Sequence, residues 1–362
     1  MNQFEQKKSY PSTKSIEQLS CIMKTNRENE DQSTRRSFIK KSVMGLAALS
    51  SGTAASLILN NSDSQAASIN STPALDINLE PTKFIHACMT LPYRNFPLER
   101  ALQGIKSAGY NHVAWGTSHK GENGENNPVI SETASPEEAE ELAKKCRAMG
   151  LEPVQMFSTI YPDQEDAVEL LTNRIKQASA ARLNYILVFG PTDGGDPDLW
   201  VSKFKKLAPI AADHDVTFLM KQHGGETTGT GEALSRIIHE LDHPNIEMSY
   251  DAGNVMWYQS VDPIEDIKTC SDLISGFCLK DCRNFPTKTT SAPGYGEIDH
   301  YQLFSPVAFT RKTITLTYEN IYASYLGMPG TAEEIDTMAR QTKIYMENVL
   351  AGLQAIISEN NN

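Results

Sequence analysis

The residues of this chain best suited to chemistry stand at the ends of short apolar runs in its second half. Val216-Thr217-Phe218-Leu219-Met220 leads into Lys221-Gln222-His223-Gly224-Gly225, and Ile246-Glu247-Met248-Ser249-Tyr250 leads into Asp251-Ala252-Gly253-Asn254. Gly276-Phe277-Cys278-Leu279-Lys280-Asp281 follows, and then Thr313-Ile314-Thr315-Leu316-Thr317-Tyr318-Glu319-Asn320. Read as strands, whose side chains alternate between two faces, these runs send Lys221 and His223 to one side. In the last run Ile314, Leu316 and Tyr318 make an apolar face, which leaves the threonines and Glu319 on the other. An inward carboxylate is costly without a partner. If these groups converge, carboxylates able to act as acid or base, Asp251 and Glu319, share one site with the Lys221 cation. Asp251 also sits in a good turn sequence, which by itself would make it a cap. The two glycines after His223 suit close approach of a ligand.

These residues need a scaffold that gathers strand ends. Short apolar runs begin near Phe84, His112, Pro153, Tyr185, Val216, Ile246, Gly276 and Thr313. Amphipathic patterns separate them at Leu98 to Ala108, Pro136 to Met149, Glu165 to Leu183, Trp200 to His214 and Gly231 to Leu241, with a closing helix over Ala332 to Ser358. Ser135-Pro136-Glu137-Glu138 carries the signals of a helix start. Eight such βα units close most simply into a (β/α)8 TIM barrel. A doubly wound open sheet is the alternative, weakened because no glycine-rich dinucleotide fingerprint follows the first strand. A barrel places its active site at the C-terminal ends of the strands. His86 on the first strand, Trp115 and His119 after the second, and Gln155 on the third then join Asn254 and Lys280 as candidate substrate contacts.

The series K-Q-H-G-G, D-A-G-N, L-K-D and G-Y-G-E-I-D, with a glutamate closing the last strand, resembles the xylose isomerase-like superfamily of sugar phosphate isomerases and epimerases. The order matches from about Lys83 to Asn320, and the strong motifs lie in the second half. The resemblance implies one divalent metal held by Glu, Asp, His and Glu from strands five to eight, and acids that act as bases on a sugar. Asp251 and Glu319 occupy two of those positions. Lys221 stands where the first Glu is expected and Cys278 where the His is expected, and Cys278 reads as a small buried apolar residue. Three readings stay open. A metal (Mn²⁺, Zn²⁺ or Mg²⁺) could be held by Asp251, Glu319 and His223. The Lys221 ammonium could replace the metal's charge. Or the site has lost its catalysis. Lys280 and Asp281 form either a local ion pair or part of the site.

The function implied is isomerisation or epimerisation of a sugar or oxidised sugar. A lyase or hydratase of the same fold and a non-catalytic carbohydrate-binding barrel are the alternatives. An apurinic-site endonuclease of the same superfamily suits the chain poorly, because a formal net charge of −12 repels a phosphate backbone and no basic stripe interrupts it. Nucleic acid is therefore excluded as a partner. The six cysteines lack the dense spacing of a disulfide framework and the paired arms of a zinc site, and they neither prove nor exclude a disulfide.

The start of the chain reads as an address. Residues 1–32 form a polar leader, with Met23 a possible true start. Residues 33–67 resemble a twin-arginine signal: Arg35-Arg36, an apolar stretch from Val43 to Leu59, and a small-residue site at Ser64-Gln65-Ala66-Ala67. A linker over 68–82 precedes the barrel at 83–358. The expectation is export by the twin-arginine machinery to the periplasm or beyond, with no stable membrane span after cleavage. A route used by proteins that fold before export is in keeping with a bound metal.

Overall fold

The computed structural model describes residues 80–121 and 123–358; the leader, the signal and most of the linker lie outside the described residues. Eight parallel strands form a closed barrel: β1 (Lys83–Met89), β2 (His112–Trp115), β3 (Glu152–Phe157), β4 (Tyr185–Val188), β5 (Thr217–Lys221), β6 (Ile246–Tyr250), β7 (Ile274–Leu279) and β8 (Thr313–Tyr318). Each pairs with its neighbour in sequence, and β8 closes on β1 with Lys83 opposite Thr313 and Cys88 opposite Tyr318. The helices that follow them are α1 (Leu98–Ser107), α2 (Pro136–Ala148), α3 (Ala167–Ala181), α4 (Pro197–Asp213), α5 (Gly231–Leu241), α6 (Pro263–Asp266), α7 (His300–Phe304) and α8 (Ala332–Ser358). The fold is the expected (β/α)8 barrel, with α6 and α7 reduced to short pieces. Among the described residues no helix is long and apolar enough to cross a membrane.

Alternation along the strands divides the core. Met89, Ala114, Leu187, Leu219 and Cys278 make a small cluster inside the barrel. Phe218, Tyr250, Phe277, Ile314, Leu316 and Tyr318 belong to the larger core that also takes in Trp200 and Phe204 of α4. Thr315 and Thr317 are buried on the opposite face of β8 from its apolar residues, as period-two counting requires. At α2 the capping box closes in both directions: Ser135 Oγ accepts the Glu138 N–H at 3.3 Å, and Glu138 Oε1 accepts the Ser135 N–H at 3.0 Å. The five cysteines of the described residues, Cys88, Cys146, Cys270, Cys278 and Cys282, are buried and free.

Two antiparallel hairpins interrupt the βα pattern and have no apolar periodicity to announce them. Ser118–Lys120 pairs with Asn126–Pro128 after β2, and Asp281–Arg283 pairs with Thr289–Ser291 after β7. The second is tied down by one side chain. The buried Asp281 carboxylate accepts backbone N–H groups from Cys282 (2.7 Å), Gly294 (3.2 Å), Gly296 (3.0 Å) and Ile298 (3.1 Å). The Gly294-Tyr295-Gly296 turn therefore wraps Asp281, and Asp281 forms no ion pair with Lys280, whose side chain goes to the barrel mouth. Replacing Asp281 by Ala strands several of these donors and should lower stability by roughly 2–4 kcal/mol in urea unfolding. A loss below about 0.5 kcal/mol would show that solvent replaces the carboxylate freely.

Candidate active site at the barrel mouth

Four charged side chains from four consecutive strand ends meet at the C-terminal mouth. Lys221 is the last residue of β5, Asp251 follows β6, Lys280 follows β7 and Glu319 follows β8. Lys221 Nζ donates to Glu319 Oε2 at 2.8 Å and lies 3.5 Å from Asp251 Oδ2. Lys280 Nζ donates to Glu319 Oε1 at 2.8 Å and lies 3.3 Å from Asp251 Oδ2. Two ammonium groups thus bridge two carboxylates, with side-chain exposures of only 2% for Lys221, 0% for Asp251, 9% for Lys280 and 13% for Glu319. The Cys278 thiol touches Glu319 Oε2 and lies 3.7 Å from Lys221 Nζ, so Cys278 is buried as expected but does not merely fill space.

Local sequence explains the placement. Gly253 is required because a Cβ there would collide with the stem of Lys280. Asp251 Oδ1 accepts the Asn254 N–H at 2.9 Å and so caps the turn, while its backbone N–H donates to the Gln222 side chain at 2.9 Å. Asn254 in turn donates to the Gln222 carbonyl at 2.8 Å and accepts from Lys280 Nζ at 3.1 Å. The glycines after His223 have a different role from the one expected. A Cβ on Gly224 would strike the Thr192 carbonyl, and one on Gly225, at φ +78°, would strike Asp193. They admit the neighbouring loop's backbone rather than a ligand.

Burial and charge act on each group in turn. Burial pushes the Asp251 carboxyl up, and the two lysines reverse this only in part. Burial acts the same way on Glu319, but Lys221 and Lys280 outweigh it and hold its carboxyl well below the usual range. Burial disfavours the Lys221 ammonium, yet Cys278 and the carboxylates of Glu319 and Asp251 keep its pKa above the ordinary lysine value. Lys280 behaves likewise, held up by Asp251 and Glu319. The Cys278 thiol is driven up by burial and then by Glu319.

An aromatic wall faces these charges. Lys221 Nζ lies 5.2 Å from the Phe157 ring centre and 5.3 Å from that of Phe189, within cation–π reach. Phe189 contacts His223 at 4.8 Å between ring centres, and His223 contacts Tyr258 at 5.2 Å. His223 is therefore beside Lys221, as alternation implies, and its Nδ1 has no partner. Burial, followed by the charges of Lys221 and Lys280, lowers its pKa to about 4, so the ring is neutral at pH 7.

The other expected contacts scatter. Gln155 faces the barrel interior, opposite Ala114 and Tyr185 in register, and both its amide atoms lack partners. His86 is turned away from the mouth: residues 87 and 89 face inward, so His86 faces α8, with Nδ1 2.7 Å from the Tyr318 hydroxyl. His119 is buried in the first hairpin, its Nδ1 2.9 Å from the Phe96 carbonyl. Trp115 is buried in the outer core and borders a side cavity. Phe157, Phe189 and Gln222 were not among the expected site residues. Phe157 could have been found by continuing the inward alternation of β3 from Gln155.

On one of the three readings a metal would be held by Asp251, Glu319 and His223. The donor atoms that come within 4.8 Å of one another belong to Asp251, Cys278 and Glu319, and His223 is not among them. Two carboxylates and a thiolate are a reasonable donor set for Zn²⁺. The fit fails on charge: both carboxylates are already bridged by two ammonium groups at 2.8–3.5 Å.

Residues 102–341 match the family described as "Xylose isomerase-like TIM barrel". No curated protein matches the sequence. Among solved structures, an L-ribulose 3-epimerase is similar at 14% identity, covering 78% of this chain and 99% of its own, with a TM-score of 0.59. A xylose isomerase domain protein from Planctomyces limnophilus shares 17% identity over 77% of this chain and 100% of its own, with a TM-score of 0.56. A xylose isomerase-like TIM barrel protein from Mycobacterium smegmatis, solved with magnesium, shares 13% over 76% and 97%, with a TM-score of 0.58. Identities this low establish the common barrel.

Replacing Lys221 by Met leaves two buried carboxylates with one ammonium and should cost about 3–5 kcal/mol in chemical unfolding. Adding Glu319→Gln to Lys221→Met should recover part of that loss. Additive single effects would show that the two residues do not interact.

Proposed function

The chain belongs to the xylose isomerase-like TIM barrel family, and we propose that it is a carbohydrate isomerase or epimerase that removes a proton next to a sugar carbonyl without a metal. The observation that carries this reading is Glu319 held between Lys221 and Lys280 at 2.8 Å each. A carboxylate gripped by two ammonium groups is a weak base. It gains strength when they are drawn to another oxygen. A substrate carbonyl and its neighbouring hydroxyl, entering between the lysines and Glu319, would take those donors, and the proton affinity of Glu319 would rise as they leave. The lysines then stabilise the negative charge that develops on the carbonyl oxygen as the C–H bond breaks. Return of the proton from Glu319 to the former carbonyl carbon, with the hydroxyl proton passing to the carbonyl oxygen, gives isomerisation; epimerisation requires a proton delivered to the opposite face by a second donor.

Asp251 keeps the two ammonium groups in place from the opposite side, its buried Oδ2 lying 3.3–3.5 Å from both. The rings of Phe157, Phe189 and Tyr258 offer an apolar surface for the C–H face of a sugar. Neutral, half-buried His223 stands beside this surface. The similarity to an epimerase supports the same reading. Export by the twin-arginine route to the periplasm or beyond belongs to this proposal and rests on Arg35-Arg36 and the apolar stretch behind them.

Incubation with a panel of ketoses and keto-glycosides in D₂O tests the reading. The wild type should place deuterium next to the carbonyl, and Glu319→Gln should lower that rate by roughly 10²–10⁴-fold. Equal exchange by both proteins would remove Glu319 from the role of base.

A further inference from the structure

Phe157 walls two spaces. Beyond the charges at the mouth, it borders a cavity of about 240 Å³ that is also lined by Trp115, Thr117, Ser131, Thr159 and Arg174. Arg174 reaches this cavity from α3 and is only 6% exposed. Its Nη1 donates to the carbonyls of Ile130 (3.1 Å) and Ser131 (3.3 Å) and to Gln177 Oε1 (2.9 Å), whereas its Nε has no partner. Among the described residues no acidic side chain forms an ion pair with it. Glu132 borders the same cavity and its charge offsets part of the burial of Arg174, but it forms no ion pair with the guanidinium. Burial lowers the pKa of Arg174 to about 10, which leaves it charged at neutral pH. A buried cation whose hydrogen-bond partners are all neutral, and whose Nε has none, is only partly compensated, and the cavity beside it has room for an anion.

We propose that this cavity is an anion subsite, in which Arg174 receives the carboxylate or phosphate of an acidic sugar whose ring passes Phe157 to reach Glu319 and the two lysines. The inference rests on the function proposed above and names its substrate class. A guanidinium is suited to either anion, since its planar donors match their paired oxygens. The hydroxyls of Thr117, Ser131 and Thr159 supply further donors around the same space.

Calorimetric titration of the full chain with glucuronate, glucose 6-phosphate and glucose at fixed ionic strength tests it. At least one acid should bind roughly tenfold or more tightly than glucose, and the stronger of the two identifies the anion. Arg174→Lys should keep part of that preference and Arg174→Gln should lose it, which a clamp on the Ile130 and Ser131 carbonyls alone would not produce. Thr159→Trp, on the exposed rim, should block the cavity without touching that clamp. Equal binding of all three probes, or a preference that survives both Arg174→Gln and Thr159→Trp, overturns the subsite. In Glu319→Gln the preference should persist, so failure of the proposed chemistry is separable: acid preference without proton exchange keeps the subsite, and exchange on neutral sugars without preference removes it.

Discussion

Lys221 and Lys280 face Asp251 and Glu319 where little water reaches, and such an arrangement holds only while all four charges are present. Desolvation of one buried ion costs several kcal/mol, and the attraction of the other three offsets that cost only at short distance. The surrounding structure is fitted to that requirement. Gly253 makes room for the Lys280 stem, Asn254 and Gln222 fix the turn that carries Asp251, and Gly224 and Gly225 let adjacent loops close over the strand ends. Asp281 binds the loop after β7 from below, which keeps the segment behind Lys280 in place.

The barrel was largely legible because strand and helix periods leave a mark on every residue. The eight strand starts fall within two residues of those expected, and α5 and α8 have the expected limits. The hairpins were not legible, since each rests on loop contacts such as those of Asp281 rather than on an apolar pattern. Within the site, alternation placed Lys221, Asp251 and Glu319 together and put His223 beside them. It failed for His86, where the parity of β1 had not been fixed: Met89 and Ala87 face inward, so His86 cannot. Lys280 and Cys278 were visible as residues but not as partners of Glu319, because that contact depends on how far two strand ends lean across the barrel. Arg174 lies on a helix, outside any search restricted to strand ends.

The charge arrangement also changes what the site can do. In a metal site the cation is fixed by its ligands, and the acids that hold it are not free to move. In the proposed mechanism the cations are side chains, and a substrate oxygen draws them off Glu319 and strengthens the base as it binds. Lys221 Nζ lies to one side of the adjoining Phe157 and Phe189 rings, which favours its charge.

Whether ammonium groups stand in for a metal is the central claim, and the metal content of the purified chain, measured by elemental analysis after equilibration with Mn²⁺, Zn²⁺ and Mg²⁺ and removal of free ions, tests it most directly. The account predicts no stoichiometric ion in the wild type. One ion per chain, lost when Asp251 or Glu319 is replaced by its amide, would contradict it.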